Sequence, residues 1–370
     1  MSDIMEYKCP ACGGAMEFDS KSQKMKCPYC DTEMSIEEFQ QTQQGKQDGA
    51  ENAPGGSASD DVNWQAASDG QWSEGETNGM RVYACESCGG EIVADENTGA
   101  TSCPFCGNRV VMKGQFSGDL KPDYIIPFKL DKKAAKEAYH KHLHGKKFLP
   151  KVFKQENHID EIKGVYVPFW LFDADTKADI TYSAERVQVW ESGDIEYTEH
   201  EHYQVKRSGG IRFEHIPADG SRKMDDDLME SIEPYDFSEA VPFQPAYLAG
   251  YVADRYDVDM EERLVRAKER IKKSAQQSFE DTVTGYHSVT PVESNVNIYN
   301  ARYLYALYPV WILNTTWKGE KYIFAMNVQT GKMVGDLPAD NGAFWKYVTA
   351  RGVIIGALIY ALLWIRLLLF

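Results

Sequence analysis

Alternating apolar and polar residues in the middle of the chain predict a body rich in β-strands. Residues 178–190 and 196–207 alternate with a period of two, which is typical of strands that bury one face. Residues 164–173 are rich in β-branched and aromatic side chains, which also favours a strand. Further strands are predicted at residues 210–215, 295–298, 303–315, 321–328 and 332–334, with Gln329-Thr330-Gly331 as the last turn.

Two segments follow the helical period instead. Residues 131–143 carry three alanines and a tyrosine along one face, which predicts a helix. A longer helix is predicted from Asp259 to about residue 279, with the Asp259 carboxylate as N-cap and Glu262 completing a capping box. Because each helix precedes a group of strands, we predict two helix-then-strands units.

A short motif recurs in the two units. Val167-Pro168-Phe169-Trp170-Leu171 in the first resembles Tyr308-Pro309-Val310-Trp311-Ile312 in the second. In both motifs we expect the proline to open a strand, where its missing N–H does least harm. The predicted fold class is therefore α+β, with an antiparallel-sheet-rich body in which two units share one sheet.

The C-terminal pattern differs from that of the body. Residues 352–365 are unbroken apolar sequence and residues 367–370 continue it. As a helix this segment would extend about 28 Å, enough to cross the hydrocarbon core of a bilayer. A buried helix would show a polar solvent face, which is missing here, and Arg366 near the end can reach the far headgroups. Lys346 and Arg351 precede the segment, so we expect one C-terminal transmembrane helix with the N-terminal body in the cytoplasm.

Eight cysteines form two sets with the same spacing. Each set has two C-x-x-C pairs separated by fourteen residues, and the sets align without a gap at an offset of 76 residues, from Cys9 to Cys85. Four thiolates in paired turns supply the tetrahedral ligands of structural Zn²⁺, with no position open for a water or substrate. We predict two rubredoxin-like zinc ribbons, each binding one Zn²⁺ ion. The metal ligands are Cys9, Cys12, Cys27 and Cys30 in the first ribbon and Cys85, Cys88, Cys103 and Cys106 in the second.

Disulfides and a redox dithiol are the alternatives for these cysteines. Disulfides need an oxidising compartment, and the first residues, Met-Ser-Asp-Ile-Met-Glu, show neither the basic nor the apolar region of an export signal. A thioredoxin-like C-x-x-C follows a strand, opens a helix and does not occur in four copies. Structural zinc is therefore the preferred interpretation, with metal binding and ribbon folding as one event.

The segment between the two ribbons carries much of the chain's net negative charge. The chain has 56 acidic and 40 basic residues, a formal net charge of −16, and much of the excess lies in residues 36–80. This Gln-rich and Gly/Ser-containing stretch predicts a disordered acidic linker. Trp64 and Trp72 interrupt it, and they can dock either on the protein's own second ribbon or on a partner.

The predicted domains follow from these patterns. They are residues 1–35 (first ribbon), 36–80 (linker), 81–113 (second ribbon), 114–340 (α+β body), 341–351 (juxtamembrane segment) and 352–370 (transmembrane helix).

Side chains suited to catalysis are sparse. His140 and His144 share a helical face, but a solvated helix end beside several lysines is the ordinary explanation. Asp225-Asp226-Asp227 lacks the spacing of a calcium loop and indicates a solvated turn or a helix start. The sequence has no glycine-rich phosphate loop, no nucleophile elbow and no cysteine outside the two sets. We therefore expect no enzyme and identify no small-molecule substrate.

Longer motifs resemble a known family. They are Lys8-Cys9-Pro-Ala-Cys12-Gly-Gly, Tyr83-Ala-Cys85-Glu-Ser-Cys88-Gly-Gly-Glu-Ile-Val, Pro122-Asp-Tyr-Ile-Ile-Pro-Phe-Lys129, Gly164-Val-Tyr-Val-Pro-Phe-Trp-Leu-Phe172, Met229-Glu-Ser-Ile-Glu-Pro234 and Met326-Asn-Val-Gln-Thr-Gly-Lys332. Across most of its length the chain resembles the YdjG-like double zinc-ribbon membrane proteins of Gram-positive bacteria, whose ribbons are labelled TFIIB-type. The resemblance implies a single-pass adaptor in the bacterial cell membrane that acts beside SPFH-domain or PspA-like envelope-stress proteins.

Two functions compete on the sequence alone. The first is a membrane-anchored scaffold that recruits cytosolic proteins. The C-x-x-C turns, here called knuckles, would present the aromatic residues Tyr29 and Phe105 to those proteins. The second is a nucleic-acid-binding ribbon protein associated with transcription or replication. A nucleic-acid reader needs clustered Lys and Arg, whereas residues 1–113 carry excess negative charge, which the thiolates of two zinc sites increase. A protein partner is therefore expected, and nucleic acid is not.

Overall fold

The strands that the structure describes lie in one small and one large sheet. A computed structural model gives their arrangement and describes residues 8–38, 64–73, 76–95, 98, 100, 102–116 and 120–369. The small sheet has the order β1 (Glu17–Asp19), β2 (Lys24–Lys26) and β3 (Glu33–Met34) and belongs to the first ribbon. Within the described residues the large sheet has twelve strands. These are β4 (Gln65–Ala66), β5 (Met80–Ala84), β6 (Glu91–Asp95), β7 (Val111–Gln115), β8 (Tyr124–Ile125), β9 (Lys163–Ser192), β10 (Ile195–Asp219), β11 (Val241–Pro242), β12 (Val252–Asp254), β13 (Ser288–Trp317), β14 (Glu320–Asn327) and β15 (Met333–Val334).

Helices cover parts of the large sheet and end the chain. They are α1 (Lys132–Leu143), α2 (Glu156–Ile159), α3 (Asp226–Ser231), α4 (Met260–Glu280) and α5 (Asn341–Leu369), with short 3-10 turns at Lys151–Lys154, Phe237–Glu239 and Pro245–Leu248. The N-cap of α1 is Asp131, whose carboxylate accepts a hydrogen bond from Ala134 N at 2.8 Å. The predicted cap of α4 is wrong in detail, because Asp259 makes no side-chain cap bond and Glu262 pairs with Arg222 instead.

Two copies of one unit build the centre of the large sheet. Each consists of a short strand, a helix, a long strand and a returning strand, first β8-α1-β9-β10 and then β12-α4-β13-β14. The long strands β9 and β13 pair antiparallel, and the short strand of each unit pairs in parallel with the long strand of the other. The prediction of two helix-then-strands units that share one sheet in an α+β body is confirmed.

The recurring proline motif lies inside these long strands. Val167 pairs with Tyr308, so the two copies of the motif face each other across the ladder. The prediction that each proline opens a strand is therefore wrong. Pro168 falls between the residues of β9 that pair with β12 and those that pair with β10, and Pro309 falls between the β8-paired and β14-paired residues of β13. The missing N–H does no harm there, because one neighbouring strand ends and the next begins.

The long strands also continue past the breaks that the sequence pattern indicated. The predicted strands at residues 164–173 and 178–190 form one strand, β9, because Ala174, Thr176 and Ala178 are all buried and extend the same apolar face. Farther along, this face meets α4 through Ile180 and Tyr182, which belong to one buried cluster with residues of the helix end. The result is a three-stranded arm of β13, β9 and β10 that extends well beyond the rest of the sheet.

Part of the predicted linker is an ordered element of the sheet. Residues 39–63 lie outside the described residues. After them β4 pairs in parallel with β13, and Trp64 packs edge-on against Phe172 with ring centroids 5.2 Å apart. Trp72 packs in the same way against Phe243 at 5.7 Å. Both tryptophans thus dock in cis on the body, and the expected disorder does not extend to them, since burying an indole favours order.

Helix α5 packs against the body at its start. Phe148 packs edge-on against Phe344 and Tyr347, with ring centroids 5.3 and 5.4 Å apart. Farther along, large apolar side chains are exposed, such as Val353 at 72% and Leu362 at 66%. Across the part of the chain that the structure describes, no helix has the length and apolar character needed to cross a membrane, so the predicted transmembrane helix at residues 352–370 is not supported.

Candidate metal centres

Four knuckles with one backbone geometry hold the eight cysteines. In the first knuckle Gly13 N donates to Cys9 O at 2.8 Å and Cys9 N donates to Gly14 O at 2.7 Å, and the other three knuckles repeat this pair of bonds. In each, the residue after the second cysteine has a left-handed φ, where glycine is not strained. These residues are Gly13 at 74°, Asp31 at 56°, Gly89 at 72° and Gly107 at 75°. The predicted tight turns are confirmed, and Asp31 adopts the same turn without being glycine.

The knuckles bring the four sulfurs of each set together. In both sets the Sγ atoms all lie within 4.8 Å of one another. The shortest pairs are Cys9–Cys30 at 3.5 Å, Cys12–Cys27 at 3.5 Å, Cys85–Cys106 at 3.4 Å and Cys88–Cys103 at 3.6 Å. These separations exceed the disulfide bond length of about 2.05 Å, and a zinc tetrahedron with Zn–S bonds of about 2.3 Å has edges of about 3.8 Å. The two sets are therefore positioned to bind two zinc ions, each within one ribbon.

Hydrogen-bond donors and burial act in opposite directions on these thiols. The hydroxyl and the backbone N–H of Thr32 lower the pKa of the Cys30 thiol. Burial raises the pKa of the Cys103 thiol. Four thiols held this close favour a bound cation, because the metal stabilises all four thiolates at once.

The first ribbon is attached to the body along one side. Phe18 N donates to Ala249 O at 3.0 Å, and its ring packs edge-on against Tyr247 with centroids 5.2 Å apart. Gln23 Nε2 donates to a body carbonyl, that of Phe128, at 2.7 Å. The ribbon keeps its own sheet, β1-β2-β3, which has no strand in common with the large sheet among the described residues. It is therefore a docked module.

The second ribbon is part of the large sheet. Strand β6 pairs antiparallel with β12, placing Val93 opposite Ala253 and Ile92 opposite Asp254. Three of its four cysteines, and Phe105 between two of them, are buried in one cluster with residues of β9 and β13. Folding of this ribbon and folding of the body therefore share one core.

Two body lysines lie beside the second cysteine set. Lys163 Nζ donates to Ser102 O at 2.7 Å. Lys223 Nζ pairs with Asp254 at 2.7 Å and lies 5.7 Å from the centre of the Phe105 ring. Burial alone would lower the pKa of Lys223, but the Asp254 carboxylate outweighs it and raises that pKa. Four thiolates around Zn²⁺ sum to about −2, so these cations favour the buried site.

Sequence reasoning missed these lysines, because they are distant from the cysteines along the chain and belong to no motif. It also predicted that both knuckle aromatics are presented to a partner, and for Phe105 this prediction is wrong. Tyr29 is 76% exposed on the first ribbon, whereas Phe105 is 4% exposed. Phe105 cannot face a partner, because body strands cover its knuckle and Asn314 Nδ2 donates to its carbonyl.

Other polar clusters have ordinary structural partners. His140 lies 3.7 Å from Glu156, and the His142 ring bonds to the carbonyl of Gly335 at 3.0 Å. Asp225 caps α3, because its carboxylate accepts hydrogen bonds from the backbone N–H groups of Asp227 and Leu228. The three aspartates therefore form a helix start, one of the two predicted possibilities. Among the described residues, the two cysteine sets are the groups of His, Cys, Asp and Glu that could hold a metal ion.

Comparison with known proteins finds a relative that spans nearly the whole chain. The chain is 34% identical to the uncharacterized protein YdjG of Bacillus subtilis (strain 168) over 362 residues, which is 97% of this chain and 98% of that protein. Over 35 residues it is 46% identical to the DNA-directed RNA polymerase subunit Rpo12 of Thermococcus onnurineus (strain NA1), covering 9% of this chain and 71% of the subunit. No protein-family model matches the chain, and no solved structure matches it.

Proposed function

The chain belongs to the family of YdjG from Bacillus subtilis, and from this premise we propose that it is a membrane-anchored zinc-ribbon adaptor that recruits a cytosolic protein. The observation that carries the proposal is the difference in exposure between the two ribbons. The second ribbon contributes its knuckle to the core, whereas the first displays Tyr29 with 76% of its surface exposed. An exposed tyrosine on a rigid turn is a typical contact residue of protein interfaces.

The chemistry of the two sites supports a binding role over a catalytic one. Every ligand position in both sets is a cysteine, and a site of four cysteines leaves no coordination position for a substrate. In the first ribbon the zinc would hold the knuckle that carries Tyr29 in one shape. Zinc in this role prepares a surface and takes part in no reaction.

Helix α5 is the proposed anchor. Its exposed apolar side chains include Val353, Leu358 and Leu362, and a contiguous apolar surface of this kind is covered by lipid or by protein in the cell. Lys346 and Arg351 precede these residues, which favours a cytoplasmic position for the body. The contact of Phe148 with the start of α5 would then hold the body close to the membrane.

The proposed partner is a protein of the SPFH-domain or PspA-like class, which the family resemblance implies. Net charge supports a protein partner over nucleic acid, because the chain has 56 acidic and 40 basic residues. Phosphate contacts by Lys and Arg supply most of the non-specific affinity for nucleic acid. An acidic adaptor lacks that contribution.

A second candidate function is association with nucleic acid or RNA polymerase. The short similarity to Rpo12, a subunit of DNA-directed RNA polymerase, is the observation that favours it. Because it covers only 9% of this chain, we rank this function second.

Site-specific photo-crosslinking in intact membranes tests the adaptor function. A photoreactive phenylalanine analogue at Tyr29 should give a protein adduct that mass spectrometry identifies, because this side chain would lie in the interface. The matched control carries the analogue at Tyr197, which is 43% exposed on the arm, and the Cys27→Ser variant should lose the adduct together with the first zinc. An adduct that nuclease removes would establish the second function, and equal adducts at both positions would refute the first.

A further inference from the structure

A polar cleft of about 270 Å³ opens between β10, β9 and β13, outside both cysteine sets. Its polar lining consists of Asp173, Asp175, Arg212, Glu214, Asn300 and Arg302. Three adjacent strands thus contribute charged side chains to one cavity. The proposed adaptor function uses none of them.

Two β-bulges form this cleft. Strand β10 is bulged between Phe213 and Ile216, and β13 is bulged between Tyr299 and Arg302. Both irregularities lie beside the same short stretch of β9: the β10 bulge is opposite residues 172–174 and the β13 bulge is opposite residues 173–175. Bulges redirect side chains and are frequent beside binding sites.

Each bulge also contains a residue with a left-handed backbone that is not glycine. His215 has a φ of 56° and Asn300 a φ of 49°. Such conformations are costly and persist where the surrounding structure determines them, often at ligand sites. Two of them at the same level of one ladder indicate a shaped cavity.

Two carboxylates, the buried Asp173 and the half-buried Asp175, hold the two arginines of the cleft in place. Arg302 Nε donates to Asp173 at 2.9 Å, and Arg212 Nε donates to Asp175 at 2.8 Å. The Asp173 residue is 5% exposed, whereas the side chains of Arg302 and Arg212 are 60% and 69% exposed. In the described part of the chain each guanidinium forms its cleft hydrogen bond through Nε, which leaves its Nη donors available to a ligand. Arginine donors in a fixed orientation suit carboxylate and phosphate oxygens.

The remaining polar groups indicate what else the ligand carries. Glu214 adds a carboxylate, and the Asn300 amide donates through Nδ2 to Asp175 at 3.0 Å, so its oxygen is an acceptor. These acceptors match a cation or another donor on the ligand. We propose that the cleft binds a small soluble zwitterion, with its carboxylate or phosphate on Arg212 and Arg302 and its ammonium group toward Glu214 and Asn300.

Isothermal titration calorimetry on the full chain tests this proposal with L-glutamate and O-phosphoethanolamine as probes. Ethanolamine, which lacks the oxyanion, and KCl at matched ionic strength are the control titrants. At least one zwitterion should bind, and Arg212→Gln should weaken it by about tenfold, as expected for one lost charge-assisted hydrogen bond. Arg212 is the better test than Arg302, because the Asp173 carboxylate that pairs with Arg302 is buried, and removing this cation from a buried carboxylate would also destabilise the fold.

The matched control variant is Arg186→Gln. Arg186 lies on the same strand as Asp175 but over the Tyr203 ring, 5.4 Å from its centre, and it does not line the cleft. It should bind the zwitterion as the unchanged protein does. Absence of binding by both zwitterions up to about 10 mM would overturn the proposal. Equal weakening by the two substitutions, or an equal response to KCl, would overturn it as well.

Discussion

The two zinc ribbons share one knuckle geometry and differ in almost everything around it. Both hold four sulfurs within 4.8 Å, and their backbone hydrogen bonds repeat one for one. Yet the first keeps a separate three-stranded sheet, whereas the second is joined to the large sheet through β6 and β12. At equivalent positions the first exposes Tyr29 and the second buries Phe105.

This difference shows that a metal motif determines a local fold but not its role. In the second ribbon, body lysines and body strands surround the cysteines, so the zinc stabilises the core. In the first, the ligand set is held mainly by its own sheet and by one docking side. We interpret the second ribbon as structural and the first as the displayed one.

The largest expected effect is on folding of the body, which should depend on the second zinc site and not on the first. Cys103→Ser should lose one zinc and prevent stable folding of the body, because zinc binding to such a ribbon contributes about 10–16 kcal/mol and this core depends on it. The equivalent substitution, Cys27→Ser, should also lose one zinc but leave the main unfolding transition in place. Both cysteines are buried, at 1% and 0% exposure, so the pair is matched.

Metal analysis and urea denaturation followed by tryptophan fluorescence provide the readout for these two variants. A Cys27→Ser protein whose body unfolds as readily as that of Cys103→Ser would show that the ribbons are equivalent.

The next largest difference is expected between substitutions of the two knuckle aromatics. Phe105→Ala should destabilise the protein by about 3–5 kcal/mol, as is usual for a buried phenylalanine. Tyr29→Ala should leave stability unchanged within error, because an exposed side chain contributes little, while it abolishes capture of the partner. Equilibrium denaturation measures the first effect and copurification from membranes the second. Loss of stability in Tyr29→Ala would indicate a structural role for this tyrosine.

A smaller effect is expected from the lysines at the two ribbon–body contacts. Lys163→Met removes the donor to Ser102 O and should cost about 1–3 kcal/mol, because a carbonyl beside the second cysteine set loses its partner. Lys21 forms an exposed ion pair with Asp131 at 2.6 Å, and such pairs contribute little. Lys21→Met should therefore leave the free energy of unfolding unchanged in the same denaturation experiment. Equal effects of the two substitutions would contradict the proposed difference between the two ribbon–body contacts.

Sequence reasoning predicted the features that are local in the chain. The cysteine spacing identified both ligand sets, and the helical period identified α1 and α4 to within one or two residues. The repeated Pro-x-Trp motif indicated the two units, because each copy follows its own helix. All of these features depend on residues close together in sequence.

Features that depend on distant partners could not be predicted in this way. Phe105 and Tyr29 occupy equivalent positions in the two ribbons, and Phe105 is buried because its knuckle packs against residues of β9 and β13. The sequence predicted that Gln65–Ala66 belong to the linker. They form a strand because they pair with β13, which is distant in the chain. The cleft arises from two bulges on strands far apart in the chain, and the alternating pattern of each strand gives no sign of the other.

Stepwise removal of zinc tests the distinction between the ribbons most directly. A chromogenic chelator added to the full chain would report zinc release, while near-ultraviolet circular dichroism reports the packing of the body. We predict two steps: the first zinc leaves from the Cys9 set with the aromatic signal largely kept, and the second leaves only as that signal is lost. Release of both ions in one step with unfolding, or first release from the Cys85 set, would contradict this account.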